Sequence, residues 1–193
     1  HSRELESVVQ TVLTRLGAST DGAIRVSALE ALGRRGVATP EAIGELREAL
    51  QDADARVRIS GILGCTCLGP KGRPLSSVVL RLASDADEPP IGRQLAIRCL
   101  RTVGVAPADR LGVVRSCFKW LSERRADAGL RQEAIALALD TAESKEDPGL
   151  GQSLDLALTD PDSEVVTIAV DSISRHGDIA LAMLEDTVAR AFG

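Results

Sequence analysis

IRVSALEALGRRG, residues 24–36, is the stretch on which the reading of this chain turns, because its pattern returns four more times. The later copies are VRISGILGCTCLG from Val57, GRQLAIRCLRTVG from Gly92, LRQEAIALALDTA from Leu130 and VVTIAVDSISRHG from Val165. All five align without a gap and close on Gly or Ala at residues 36, 69, 104, 142 and 177, at spacings of 33, 35, 38 and 35. A period of that size marks one supersecondary unit repeated as an array. The fifth position of each copy is small: Ala28, Gly61, Ala96, Ala134 and Ala169. The sixth is a larger aliphatic residue (Leu29, Ile62, Ile97, Ile135, Val170), and the ninth extends the stripe (Leu32, Cys65, Leu100, Ala138, Ile173). That spacing predicts an amphipathic helix in every copy, with a small residue where a neighbouring helix approaches closely.

Both ends of these helices are signalled. Asp21, Asp54, Asp127 and Asp162 stand three residues before their copies, where a carboxylate accepts the free amide hydrogens of the first turn. In the third copy Pro89 takes that place, with Asp87 displaced. The closing Gly36, Gly69, Gly104 and Gly177 suit the left-handed residue that ends a helix. Further helical stretches lie between the copies, at 4–16, 40–50, 74–83, 107–123, 148–158 and 179–191. Four of them begin with Pro (Pro40, Pro74, Pro107, Pro148), which a first turn accepts because the missing N–H has no partner there. The expected organisation is a single array over residues 1–193, with repeats at 4–36, 40–69, 74–104, 107–142 and 148–177 and a terminal helix at 178–192.

Composition agrees with an all-α protein. Hydrophobic residues make up 44% of the 193 but aromatics only 2%, so the core is built from Ala, Leu, Val and Ile, which suits closely packed helices. The longest apolar runs, such as Ile179 to Leu184, are far short of the roughly 20 residues that span a bilayer, so no membrane role is expected. The N-terminus has no basic segment leading into an apolar stretch and a small-residue cleavage site. Cys65, Cys67, Cys99 and Cys117 lie in predicted apolar helices without CxxC pairing. They read as buried thiols of a reducing, cytoplasmic setting. His1 and His176 are too few and too distant for an ordinary His-based metal site.

Asp-rich turns such as DADARVR and DPDSEVV, followed by a helix with small residues and a closing Gly, resemble HEAT repeats, and the resemblance covers nearly the whole chain. It implies a right-handed α-α superhelical solenoid of five helical hairpins plus a terminal helix. It also implies a ladder in which an Asp of the turn inside each repeat pairs with an Arg near the start of a neighbouring second helix. Arg25, Arg58, Arg93 and Arg131 occupy one aligned position, whereas Val166 departs in the last copy, so the ladder is expected to stop before the final repeat.

In function, the polar residues repeat with the scaffold instead of converging, and no GxSxG, P-loop, HExxH or dinucleotide fingerprint is present. The expected role is therefore a non-enzymatic scaffold for a protein or peptide partner, without cofactor, metal or catalytic residues. The seventh and eleventh positions of the copies, opposite the apolar stripe, vary while the core positions do not, as on a binding face. Candidate partner-binding residues are Glu30, Arg34, Leu63, Arg98, Arg101, Asp140, Asp171 and Arg175, with Arg98 and Arg101 near a basic centre.

Two alternatives stand beside the scaffold. Residues 91–131 carry nine Lys or Arg against three Asp or Glu, a segment to which a nucleic acid would bind in a salt-dependent way, as in a DNA-repair HEAT-like protein. Residues 132–193 carry three against thirteen and would repel the same backbone; Phe118 and Trp120 read as packing residues rather than stacking platforms. The repeat pattern is also similar to that of HEAT-like chromophore (phycobilin) lyases. The His-Glu metal motifs of the di-iron helical-repeat hydroxylases are absent.

Overall fold

Asp21, Asp54, Asp127 and Asp162 each cap a helix, accepting amide hydrogens from Ala23 (2.9 Å), Arg56 (2.9 Å), Gly129 (2.8 Å) and Glu164 (2.9 Å) respectively. The computed structural model describes residues 2–17, 19, 21–123, 127–143, 147 and 149–176, and within them the chain is all-α, with no strand. In order, the helices are α1 (Ser2–Gly17), α2 (Gly22–Arg34), α3 (Pro40–Ala49), α4 (Ala55–Cys67), α5 (Ser76–Ser84), α6 (Pro90–Val103), α7 (Arg110–Ser122), α8 (Ala128–Thr141), α9 (Leu150–Leu158) and α10 (Ser163–Arg175). The five copies are thus α2, α4, α6, α8 and α10. No described helix is long and apolar enough to cross a membrane.

The chain forms two compact units that divide between Ala106 and Pro107, after the third copy. In the first, α2 packs on α1 and α4, and α4 packs in turn on α6. There α3 lies against α1 and α4, and α5 against α6. In the second, α8 packs against α7 and α10, and α9 completes the layer against α7 and α10. The predicted stripe is the core: Leu29, Leu32, Ile62, Cys65, Ile97, Leu100, Ile135 and Ala138 are all fully buried.

How closely the helices approach is set at the glycines. A Cβ on Gly33 would collide with the carbonyl oxygen of Gly64, and one on Gly64 would stand 2.8 Å from the carbonyl oxygen of Leu29, so α2 and α4 touch backbone to backbone. At Gly61, the small fifth position of its copy, a Cβ would come within 3.2 Å of Ala49 Cβ and of Leu50 N. Helix ends follow the glycine signals too. Gly36, Gly69 and Gly104 have φ of 64°, 56° and 79°, the left-handed region that a side chain strains. Gly177 lies outside the described residues.

Several expectations need correction. The stretch 74–83 is not one helix. Gly69–Leu75 is a 3₁₀ turn containing Pro74, and α5 begins only at Ser76, because chain emerging straight from α4 has to reverse within a few residues. The stretch 107–123 likewise opens with a 3₁₀ turn, Pro107–Asp109, before α7. In the stretch 148–158, α9 starts at Leu150 after the left-handed Gly149 (φ 87°), while Pro148 and the predicted terminal helix at 178–192 lie outside the described residues. Val170 is 47% exposed, because α10 buries Val165, Ala169, Ser172 and Ile173, a face rotated away from the sixth position. Cys67 is exposed, since two residues on from buried Cys65 is the opposite side of a helix. Ala136, a seventh-position residue, is buried along with most of α8, which is covered by α7, α9 and α10.

Gly33→Ala is expected to destabilise the chain by about 1–3 kcal/mol or more, since the methyl meets a backbone carbonyl that no rotamer change can move. Gly44→Ala in α3 has nothing within 4 Å of its new methyl. It should instead stabilise by roughly 0.5–1 kcal/mol. Urea unfolding midpoints of the two variants against the parent chain check both signs.

Candidate functional site

The turns before the copies follow a two-carboxylate logic. In the DADA and DPDS turns the first Asp closes the turn and the second caps the helix: Asp52 accepts from Asp54 N at 2.8 Å, and Asp160 from Asp162 N at 2.9 Å. Ser19 does the same work in the first copy, accepting from Asp21 N at 3.2 Å. The first carboxylate is then free to receive a guanidinium from the preceding copy. Arg25 binds Asp52, and Arg131 binds Asp160 with two bonds of 2.8 and 2.9 Å, both side chains buried. Arg131 is held in its charged form first by the hydrogen bonds it donates to Asp160, against the cost of burial.

The third turn is longer and the logic shifts. Asp85 closes it by accepting from Asp87 N at 3.0 Å, and the carboxylate that Arg58 reaches is Glu88, at 2.7 Å. Arg58 also donates to the carbonyls of Asp52 and Ala53 (2.7 and 2.9 Å), so it pins two successive turns. Glu88 is 1% exposed at its side chain, and its Oε1 has no hydrogen-bond partner among the described residues. That oxygen packs on the Cα side of Gly92 in the first turn of α6, where a Cβ would displace it. Its negative charge stands beside a helix start whose cap, Pro89, has no side-chain acceptor. A cleft of about 470 Å³ opens over these turns, lined by Asp52, Arg58, Arg81, Asp85, Asp87 and Glu88 among others. Arg93, the third aligned Arg, donates instead to the Ala83 carbonyl at 3.1 Å.

In the second unit an ion pair appears that periodicity gave no sign of. Arg110, the first residue of α7, binds Asp147 in the α8–α9 loop and lies 3.4 Å from Glu143. Two of the nine cations of segment 91–131, Arg110 and Arg131, are therefore consumed inside the unit. Arg124 and Arg125 lie outside the described residues. Trp120 is fully buried and unavailable for stacking.

The candidate binding residues fall into two groups. Glu30 and Arg34 on α2, Leu63 on α4, and Arg98 and Arg101 on α6 lie along one strip of three neighbouring helices, with Glu30 and Arg34 paired at 3.0 Å. On the second unit, Asp140 of α8 pairs with His176 Nε2 at 3.3 Å, and Asp171 and Arg175 lie on α10. Arg175 spends its donors within its own helix, on Ser172 Oγ (2.9 Å) and the Asp171 carbonyl (3.3 Å).

Cys65 Sγ donates to the Gly72 carbonyl at 3.8 Å, and the neighbouring Cys99 thiol together with burial pushes the Cys65 thiol up; burial does the same to Cys117. A thiol so raised stays protonated and is a poor nucleophile or metal ligand. Among the described residues, no group of three or more His, Cys, Asp or Glu is placed to hold a metal ion.

No protein-family model and no curated protein matches the chain. Among solved structures, the chain is similar to an engineered protein from the Northeast Structural Genomics Consortium. The identity is 20%, the TM-score 0.69, and the match covers 94% of this chain and 85% of the other. At that identity the likeness concerns fold alone.

Arg131→Met strands a buried Asp160 carboxylate and is expected to cost about 3–5 kcal/mol, with the double variant R131M/D160L recovering much of the loss. Chemical denaturation of both variants measures the difference. Asp52 titrates below the usual carboxylate range, first because the Asp54 amide donates to it and then because of Arg25. A depressed folded pKa confers stability that is complete above about pH 4 and is lost as pH falls through the folded value. Asp52→Asn should therefore lower stability at neutral pH and flatten its decline in acid, read from unfolding midpoints over the acid range.

Proposed function

We propose that the chain is a right-handed α-α superhelical solenoid of HEAT-type hairpins, acting in the cytoplasm as a non-enzymatic scaffold for a protein or peptide partner. The observation that carries this reading is the strip along α2, α4 and α6. Its seventh and eleventh positions differ from copy to copy (Glu30, Leu63, Arg98; Arg34, Cys67, Thr102), over core positions that stay small and aliphatic. Stacked helical repeats present such a strip as an extended contact surface. The recurrent pairing of Arg25, Arg58 and Arg131 with turn carboxylates supports the HEAT-type assignment, since one aligned position serves one structural purpose. The nucleic-acid reading loses ground on a specific point: Arg110 and Arg131 are paired and Trp120 is buried.

The immobilised chain, challenged with lysate of its source cell and with a nuclease-treated parallel sample, is expected to retain a protein that survives nuclease. Charge reversal in R98E/R101E should weaken that identified partner by about tenfold or more and reduce the salt dependence. Equal binding by the variant would remove the strip from the reading. Retention of nucleic acid alone, lost at moderate salt, would replace the scaffold with the nucleic-acid reading.

A further inference from the structure

The first unit is electrically divided along its repeat helices. Carboxylates gather where α2, α4 and α6 begin: Asp21, Asp52, Asp54, Asp85, Asp87 and Glu88. Where the same helices end, the side chains are Arg34 at the end of α2 and Arg35 just after it, Lys71 and Arg73 in the turn after α4, and Arg101 in the last turn of α6. Residues 31–40, 55–84 and 89–106, which contain these ends, include no Asp or Glu at all.

Three separate helix ends become one surface through the 3₁₀ turn Gly69–Leu75. Gly72 seats that turn, its Cα so close to the Cys65 carbonyl and to Val103 that a Cβ would stand 2.9 Å from each. From the seated turn, Lys71 reaches one way and lies 3.5 Å from the carbonyl oxygen of Gly36, at the end of α2. Arg73 reaches the other way and lays its guanidinium over Gly104, where a Cβ would be 3.0 Å from Nη2. The left-handed Gly36 and Gly104 thus leave bare backbone on which two exposed cations rest.

Helix dipoles alone account for part of this, because cations favour the C-terminal ends. Lys71 fits that role through the Gly36 carbonyl. Arg73 does not: it rests on a Cα and has no acceptor or carboxylate among the described residues. Its planar fork of donors is the group best suited to a carboxylate brought by another molecule.

We propose that this edge, centred on Lys71 and Arg73 and flanked by Arg35 and Arg101, docks an Asp/Glu-rich segment of a partner polypeptide. The proposal rests on the scaffold reading and names the chemistry of its partner. An acidic polypeptide is favoured over nucleic acid because residues 1–106 contain no Phe, Tyr or Trp on which a base would stack, and the net charge of the whole chain is −5.

The test measures fluorescence anisotropy of the full chain with three labelled probes: a short peptide of alternating Asp and Glu, a Gly/Ser peptide of equal length, and a single-stranded oligonucleotide of equal charge. The acidic peptide should bind and the Gly/Ser peptide should not. K71E/R73E should weaken the acidic peptide by about tenfold or more at low salt. R56E/R81E, which makes the same change in net charge away from this edge, should change it by less than about threefold. The neutral pair K71Q/R73Q should fall between parent and K71E/R73E, and circular dichroism with thermal unfolding checks that each variant folds. Equal losses in the two charge-reversed pairs, no binding of the acidic peptide by the parent chain, or tighter binding of the oligonucleotide would each overturn the proposal. Failure here alongside a nuclease-resistant protein partner from lysate would leave the scaffold reading intact; absence of any such partner would remove the scaffold reading itself.

Discussion

Gly33 and Gly64 meet backbone to backbone, and the absence of a side chain at both lets α2 and α4 close to a distance that aliphatic residues can fill. A chain with two Phe, one Trp and no Tyr has few large rings with which to bridge wider gaps. Its cohesion depends on short interhelical distances, because dispersion and burial both fade once a gap opens. The small fifth positions, Ala28, Gly61, Ala96, Ala134 and Ala169, are all buried and serve the same end. Close packing in turn brings three of the aligned Arg residues, Arg25, Arg58 and Arg131, within reach of the turn that follows each in the chain, while Arg93 turns back to the Ala83 carbonyl.

At those turns one short acidic motif does two jobs. The first carboxylate closes the turn and receives an Arg, and the second caps the helix, so capping and pairing between successive copies are coupled. Where the spacing changes, at residues 85–89, the jobs are redistributed. Asp85 closes the turn, Glu88 receives Arg58, and the cap position falls to a Pro. The pairing survives a change of partner because the requirement is a carboxylate at a place in space, not at a place in sequence.

The helical nature of the five copies, the Asp caps and the closing Gly36, Gly69 and Gly104 were legible in the sequence because each is a local matter, whereas the starts of α5, α7 and α9 were not. An Asp three residues ahead of an apolar stripe, or a Gly just after it, acts through amides only a few bonds away. The core was legible for the same reason, since periodicity assigns a face before any neighbour is known. Val170 and Ala136 show the limit. Both sit at positions that periodicity assigns by analogy with other copies, and both end on the other side of the burial line because their helices have different neighbours.

The amino-acid sequence by itself determined that the chain folds as repeated amphipathic helices with defined starts and stops, since backbone propensity, capping and hydrophobic period are properties of short segments. The tertiary structure alone decided which charges are spent and which are offered. Arg131 is buried against Asp160, Arg110 is taken by Asp147, and Arg73 lies exposed over Gly104. The physical reason is that a long cationic side chain looks the same in any sequence, and its fate depends on which carboxylate, carbonyl or bare glycine the packing of distant helices brings within its reach.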